Sequence, residues 1–121
     1  MELKNKALFK ESCFVGGKWI DSDSGEKIKV DNPANNEIIG EVPKCSTSET
    51  TKAIKEAQDA FPNWRDKTAK ERSIILQKWA RLIEQNVDDL ARIMTLEQGK
   101  PLAEAKGEIL MGVTYIDFYA E

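Results

Sequence analysis

The chain has 121 residues, 40% of them hydrophobic and 32% charged, and its 18 Lys+Arg against 21 Asp+Glu give a formal net charge of -3. That length fits one small domain with a modest core. The near-balanced, interspersed charges give no electrostatic reason to bind nucleic acid or an anionic membrane, and no apolar run is long enough to span a bilayer.

The opening "MELKNKALFKES" mixes charges with few apolar residues and lacks the continuous apolar stretch of a secretory signal. The expected compartment is the cytoplasm, where Cys13 and Cys45 stay free thiols. Cys45, in "KCSTSET", precedes a helix start whose dipole could mildly favour a thiolate; the plainer reading is a small filler residue at a strand end. The chain has no histidine, which removes Ser-His and Cys-His pairs and the usual zinc sites.

"CFVGGKWI" sets Phe14-Val15 and Trp19-Ile20 on either side of Gly16-Gly17, the signature of a tight hairpin. After the polar cluster "DSDSGEK", two more strands are expected around Ile28-Val30 and Ile38-Val42, joined by the "NPANNE" turn. A small antiparallel β ribbon is the economical arrangement.

Beyond Cys45 the pattern becomes helical. "STSE" has capping-box form, with Ser46 and Glu49 in the two roles, and Ala53, Ile54, Ala57 and Phe61 follow at helical spacing up to Pro62, the expected stop. "TAKE" repeats the box with Thr68 and Glu71. Behind it Leu76, Trp79, Ile83, Val87, Leu90 and Met94 form one apolar stripe. "QNVDD" should break that run, Asn86 ending one helix and Asp88 capping the next.

"TLEQGKPLAEAKGEILMG" is not a phosphate-binding loop, because Pro101 after Lys100 has neither a hydroxyl for magnesium nor an amide proton, and helix precedes it where a strand is needed. It reads as a helix corner, with Gly99 at C′ and Pro101 at N1 of the next helix. That helix should bury Leu102, Ala105, Ile109, Val113 and Ile116, and Gly107 and Gly112 within it suggest close packing. The apolar pattern continues into "YIDFYAE", which predicts a piece of a larger protein. The fold class expected of the fragment is α+β, a small antiparallel ribbon followed by three to four helices.

The order "FVGGKW", "VDNPANNEIIGEVP", "AFPNWRDKTAKERSIILQKWARLIEQN", "LARIMTLEQGKPLAEAKGEI" resembles the N-terminal segment of the aldehyde dehydrogenase superfamily, and within it is most similar to the succinate-semialdehyde dehydrogenases. The resemblance implies that residues 1–121 are an outer segment of the NAD(P)-binding domain of an α/β enzyme, ending before the cofactor site and the catalytic domain. It implies oxidation of an aldehyde by a cysteine thiolate, hydride transfer to NAD or NADP, and thioester hydrolysis helped by a glutamate. For the semialdehyde enzymes the product would be succinate, in 4-aminobutyrate degradation.

Neither Cys13 nor Cys45 matches the family's nucleophile, so no catalytic and no cofactor-binding residue is expected here, and the chain alone should bind no NAD(P) and be inactive. The resemblance also implies a monovalent cation held by carbonyls at Val30 and Asp31 and by Glu97, hard oxygen ligands all; the alternative for Glu97 is a solvated carboxylate in a last turn. Met111 and Tyr115 match positions that can line the aldehyde tunnel, against the alternative of ordinary core packing. Arg72, Arg81 and Arg92 are expected as solvated helix positions. The exposed helix face of such a fragment should drive self-association. The alternative to an enzyme segment is a self-standing interaction module with the same packing.

Overall fold

The computed structural model describes residues 2–121. After a short 3-10 turn, Lys6–Leu8, come strands β1 (Cys13–Val15), β2 (Lys18–Ile20), β3 (Lys27–Asp31) and β4 (Ile38–Pro43). Helices α1 (Thr47–Arg65), α2 (Ala69–Gln85), α3 (Val87–Gln98) and α4 (Leu102–Ala120) follow. The strands form two separate antiparallel pairs, β1 with β2 and β3 with β4. The α+β class and the four-helix upper bound hold, but one ribbon becomes two. The β1–β2 turn uses Gly16 at φ 58° and Gly17 at φ 76°, a backbone that few side chains tolerate. Their pairing sets Phe14 opposite Trp19, rings 5.1 Å apart.

The starts of α1 and α2 are where the sequence placed them, after Ser46 and Thr68. Thr68 and Glu71 complete a reciprocal box: the Thr68 amide donates to Glu71 Oε2 at 2.7 Å, and the Glu71 amide to Thr68 Oγ1 at 3.2 Å. Asn86 ends α2 and is also the residue that precedes α3, so Asp88 lies inside the first turn of α3 and is not its cap. Three further expectations change. Helix α1 passes through Pro62 to Arg65; residues 54–63 are exposed, so water can serve the carbonyl that proline leaves unbonded. Pro101 is the cap of α4 with ψ 139°, one position earlier than expected. An added Cβ at Gly107 or Gly112 meets nothing within 4 Å, so neither glycine answers to close packing within this chain.

The core lies where α4 crosses α2 and α3, and small side chains fill it. Ala80, Ala91 and Ala105 have no exposed surface, Val113 has 3%, and among the described residues no large side chain is fully buried. The α2 stripe therefore seats on Ala80, while Trp79 stays 55% exposed; on α4, Leu102 is 48% exposed and not buried as expected, because it stands at the helix's first position. Total accessible surface is 8824 Å², against about 6,600 Å² for a compact monomer of this mass. The excess measures an unsealed structure.

Two carboxylates fasten the loops to this frame. Glu49 is 5% exposed; its Oε1 accepts from the Asp23 amide at 2.5 Å, and its Oε2 from the Ser46 amide at 2.8 Å and hydroxyl at 2.7 Å. These donors, the Asp23 amide foremost, lower its pKa from 4.5 to about 2. Asp89 accepts from the amides of Asn5 at 2.7 Å and Lys4 at 3.0 Å, holding the N-terminal segment on α3 and lowering its own pKa.

Arg81 and Arg92 are exposed, as expected, and Arg72 is half-buried, yet all three are engaged. Arg81 pairs with Glu84 at 3.0 Å and with Asp117 on α4, Arg92 donates to the Glu2 carbonyl at 2.8 Å, and Arg72 to the carbonyls of Arg65 and Lys67. At the α3–α4 corner Gly99 adopts φ 78° and its amide donates to the Thr95 carbonyl at 2.9 Å. A Cβ there would stand 3.1 Å from Pro33 Cγ.

Two outcomes follow for stability. Because the folded pKa of Glu49 lies below its unfolded value, its contribution is whole above the ordinary glutamate range and is lost as pH falls from 4.5 towards about 2. Thermal midpoints measured across that interval should drop, and Glu49→Gln should flatten the drop. Gly99→Ala should destabilise by about 1–2 kcal/mol in urea titration, from the left-handed backbone and the approach to Pro33.

Candidate functional site

The candidate site is built where the end of β3 meets the α3–α4 corner. In the β3–β4 register Val30 faces Gly40 while Asp31 faces Ile38, so Ile39 has no partner and the ladder shifts there. Such a bulge re-aims the strand end. The following turn satisfies itself: the Asn32 amide donates to the Glu37 carbonyl at 2.8 Å, the Ala34 amide to Asn32 Oδ1 at 3.0 Å, and Asn36 takes φ 61°. Pro33 in this turn is what Gly99 touches. The absent side chain at Gly99 thus lets the turn dock on the corner.

The expected cation residues fall on these two docked segments. Val30 is half-buried, and Asp31 and Glu97 are exposed. Among the described residues neither acid takes part in an ion pair, in contrast to Lys100, which holds Glu108 Oε1 at 2.5 Å. That pair raises the Lys100 pKa, the hydrogen bond to Glu108 being the main cause. Among the described residues no group of three or more His, Cys, Asp or Glu side chains converges as a metal site. Any ion here would depend on backbone carbonyls with one carboxylate.

The two expected tunnel residues lie apart from that corner, on α4. Met111 is 56% exposed and Tyr115 is 63% exposed, one helical turn apart. Phe118 and Tyr119 extend the exposure, their rings edge to face at 5.3 Å. The opposite side of α4 buries Ala105, Val113 and Ala120. A helix apolar on both sides belongs inside a larger body. Met111 and Tyr115 are therefore not packed in this chain's core.

Both strand pairs are antiparallel, and no strand runs through a glycine-rich turn into a helix N-terminus among the described residues. Sequence reasoning missed one juxtaposition. Cys13 Sγ and Cys45 Sγ lie 3.5 Å apart although 32 positions separate them. Only the docking of β1 beside the end of β4 creates that contact, and no spacing rule points to it.

Residues 19–121 match the aldehyde dehydrogenase family. A glutarate-semialdehyde dehydrogenase of Pseudomonas putida is 54% identical over the whole chain, which covers 25% of that protein. An Escherichia coli protein named succinate-semialdehyde dehydrogenase (NADP+) is 50% identical, with the same coverage of each. The crystal structure of succinate-semialdehyde dehydrogenase from Burkholderia pseudomallei superposes with a TM-score of 0.97 at 47% identity, over 99% of this chain and 25% of that one. The chain thus spans about a quarter of the length of the relatives it matches. With its two ribbons, its capped helices and its glycine-proline corner all matched in sequence and in space, this chain belongs to the aldehyde dehydrogenase family.

Proposed function

We propose that this chain is the N-terminal portion of an NAD(P)-dependent aldehyde dehydrogenase, an outer segment of its cofactor-binding domain. Its aldehyde is one that ends in a carboxylate, succinate semialdehyde oxidised to succinate in 4-aminobutyrate degradation. The observation that carries the reading is identity of 50% or more along all 121 residues with proteins named for semialdehydes of this type. Glutarate semialdehyde shares the same two chemical ends, an aldehyde and a carboxylate, and is the competing substrate.

In this reading the chain supplies scaffold and not chemistry. The outward side of α4 meets the rest of the enzyme, with Met111 and Tyr115 lining the aldehyde's approach. Val30, Asp31 and Glu97 offer a monovalent cation two carbonyls and a carboxylate. The isolated chain turns over no aldehyde, because its two thiols contact each other and no histidine or nucleotide turn accompanies them. Alone, it self-associates through the exposed side of α4, since large apolar patches seek cover.

We expect calorimetric titration of the chain with NAD+ and NADP+ to show no saturable heat, and succinate semialdehyde to stay unoxidised. Saturable binding would overturn the scaffold reading. Sedimentation should show association rising with concentration; a monomer over a wide range would count against the patch. In the complete enzyme, Tyr115→Ala should lower kcat/KM for succinate semialdehyde about three- to tenfold, the size of a lost aromatic contact. An unchanged value would remove Tyr115 from the tunnel.

A further inference from the structure

The two thiols bridge two separately paired parts of the fold, beside the bond that the Glu41 amide of β4 donates to Glu11 Oε1 at 2.8 Å. Cys13 opens β1 and is held in register opposite Ile20. Cys45 follows β4 and is held on both sides: the Lys44 amide donates to the Glu26 carbonyl at 2.8 Å, and the Ser46 amide donates to Glu49 at 2.8 Å. No ladder connects the β1–β2 pair to the β3–β4 pair. Yet the sulfurs of these two pre-positioned residues are 3.5 Å apart. A disulfide needs about 2.0 Å, a remaining gap within reach of side-chain rotation.

We propose that Cys13 and Cys45 are a reversible dithiol site, a covalent clasp between the two ribbons that closes by exchange with a small disulfide such as oxidised glutathione. Cys45 is exposed and Cys13 half-buried, which sets the order of events. The Cys45 thiolate, its proton released to water, attacks one sulfur of the small disulfide. That S–S bond breaks, one glutathione leaves as thiolate, and Cys45 carries the other as a mixed disulfide. Cys13 then loses its proton, attacks Cys45 Sγ and expels the second glutathione thiolate. The two cysteines give up two electrons and two protons in all, and the small disulfide takes both to become two thiols. Excess dithiol reductant runs the steps backwards.

The surroundings make this a slow, selective site. The Cys45 thiol is held above its ordinary pKa, first by its hydrogen bond to Cys13, then by desolvation and by the charges of Cys13, Glu49 and Asp23. A thiol held above its ordinary pKa offers less thiolate at neutral pH, which slows the first exchange. Closure would also tighten the hairpin's seat on α1, where an added Cβ at Gly16 would already come within 2.9 Å of the Glu56 side chain.

The test is to incubate the chain with oxidised glutathione, quench with acid, and read intact mass and tryptic map. We expect both thiols to disappear together with the loss of two hydrogens, the peptides 11–18 and 45–52 to appear linked, and dithiothreitol to restore both. The closed chain should melt about 10–15 °C higher, as expected for a loop of this length. In Cys13→Ser, Cys45 should stop at the mixed disulfide with glutathione. Wild-type chain that accumulates that mixed disulfide, or that links only between molecules, would overturn the proposal. A closed chain whose melting point does not move would overturn the tying role.

Discussion

Close approach of α4 to α2 and α3 is the constraint on which the rest depends. Alanines at 80, 91 and 105, all fully enclosed, let the helix backbones come together. A contact made of such small side chains removes little apolar area from water, and burial is worth about 25 cal/mol for each Å². Many of the larger apolar groups, Trp79, Met111, Tyr115 and Tyr119 among them, are left outward. A frame of this kind holds its helices in a defined relation while keeping most of its adhesive surface available. The same economy explains why a structure with well-formed elements has the surface of a much looser one.

Around that frame, polar groups do the joining that a large core would otherwise do. Glu49 holds the loop after β2 to the start of α1, and Asp89 holds the N-terminal segment to α3. In both cases a carboxylate at the beginning of a helix accepts amides from a distant stretch of chain. Such charge-assisted bonds are stronger than neutral ones and lie where the helix dipole favours negative charge. Gly99 against Pro33 adds a steric fit at the other end of α3. Together these fasteners set the β3 end, the helix corner and α4 in fixed positions relative to one another.

How much could be read beforehand depended on the range of the interaction. Capping at Ser46 and Thr68, the hairpin at Gly16-Gly17, the break at Asn86 and the left-handed Gly99 all rest on residues within a few positions of one another, and all were legible. The stripe on α2 was legible too, but its deepest seat is Ala80 and not Trp79, because the depth of a position is set by the opposing helix. Pro62 was misread for a similar reason: the cost of its missing amide depends on whether the helix there is wet. The candidate site divides in the same way. Val30, Asp31 and Glu97 rest on a resemblance; their segments' proximity rests on the Gly99–Pro33 contact.

The sequence by itself determined the local elements, their caps and order, and, through its motifs, the family. These follow from backbone dihedral preference and from periodicities that a short window contains. Only the tertiary structure decided that the ribbon is two ribbons, that α4 is apolar on a side this chain leaves open, and that Cys13 meets Cys45. Each of those depends on which distant surfaces come together, a question of packing that no spacing along the chain encodes.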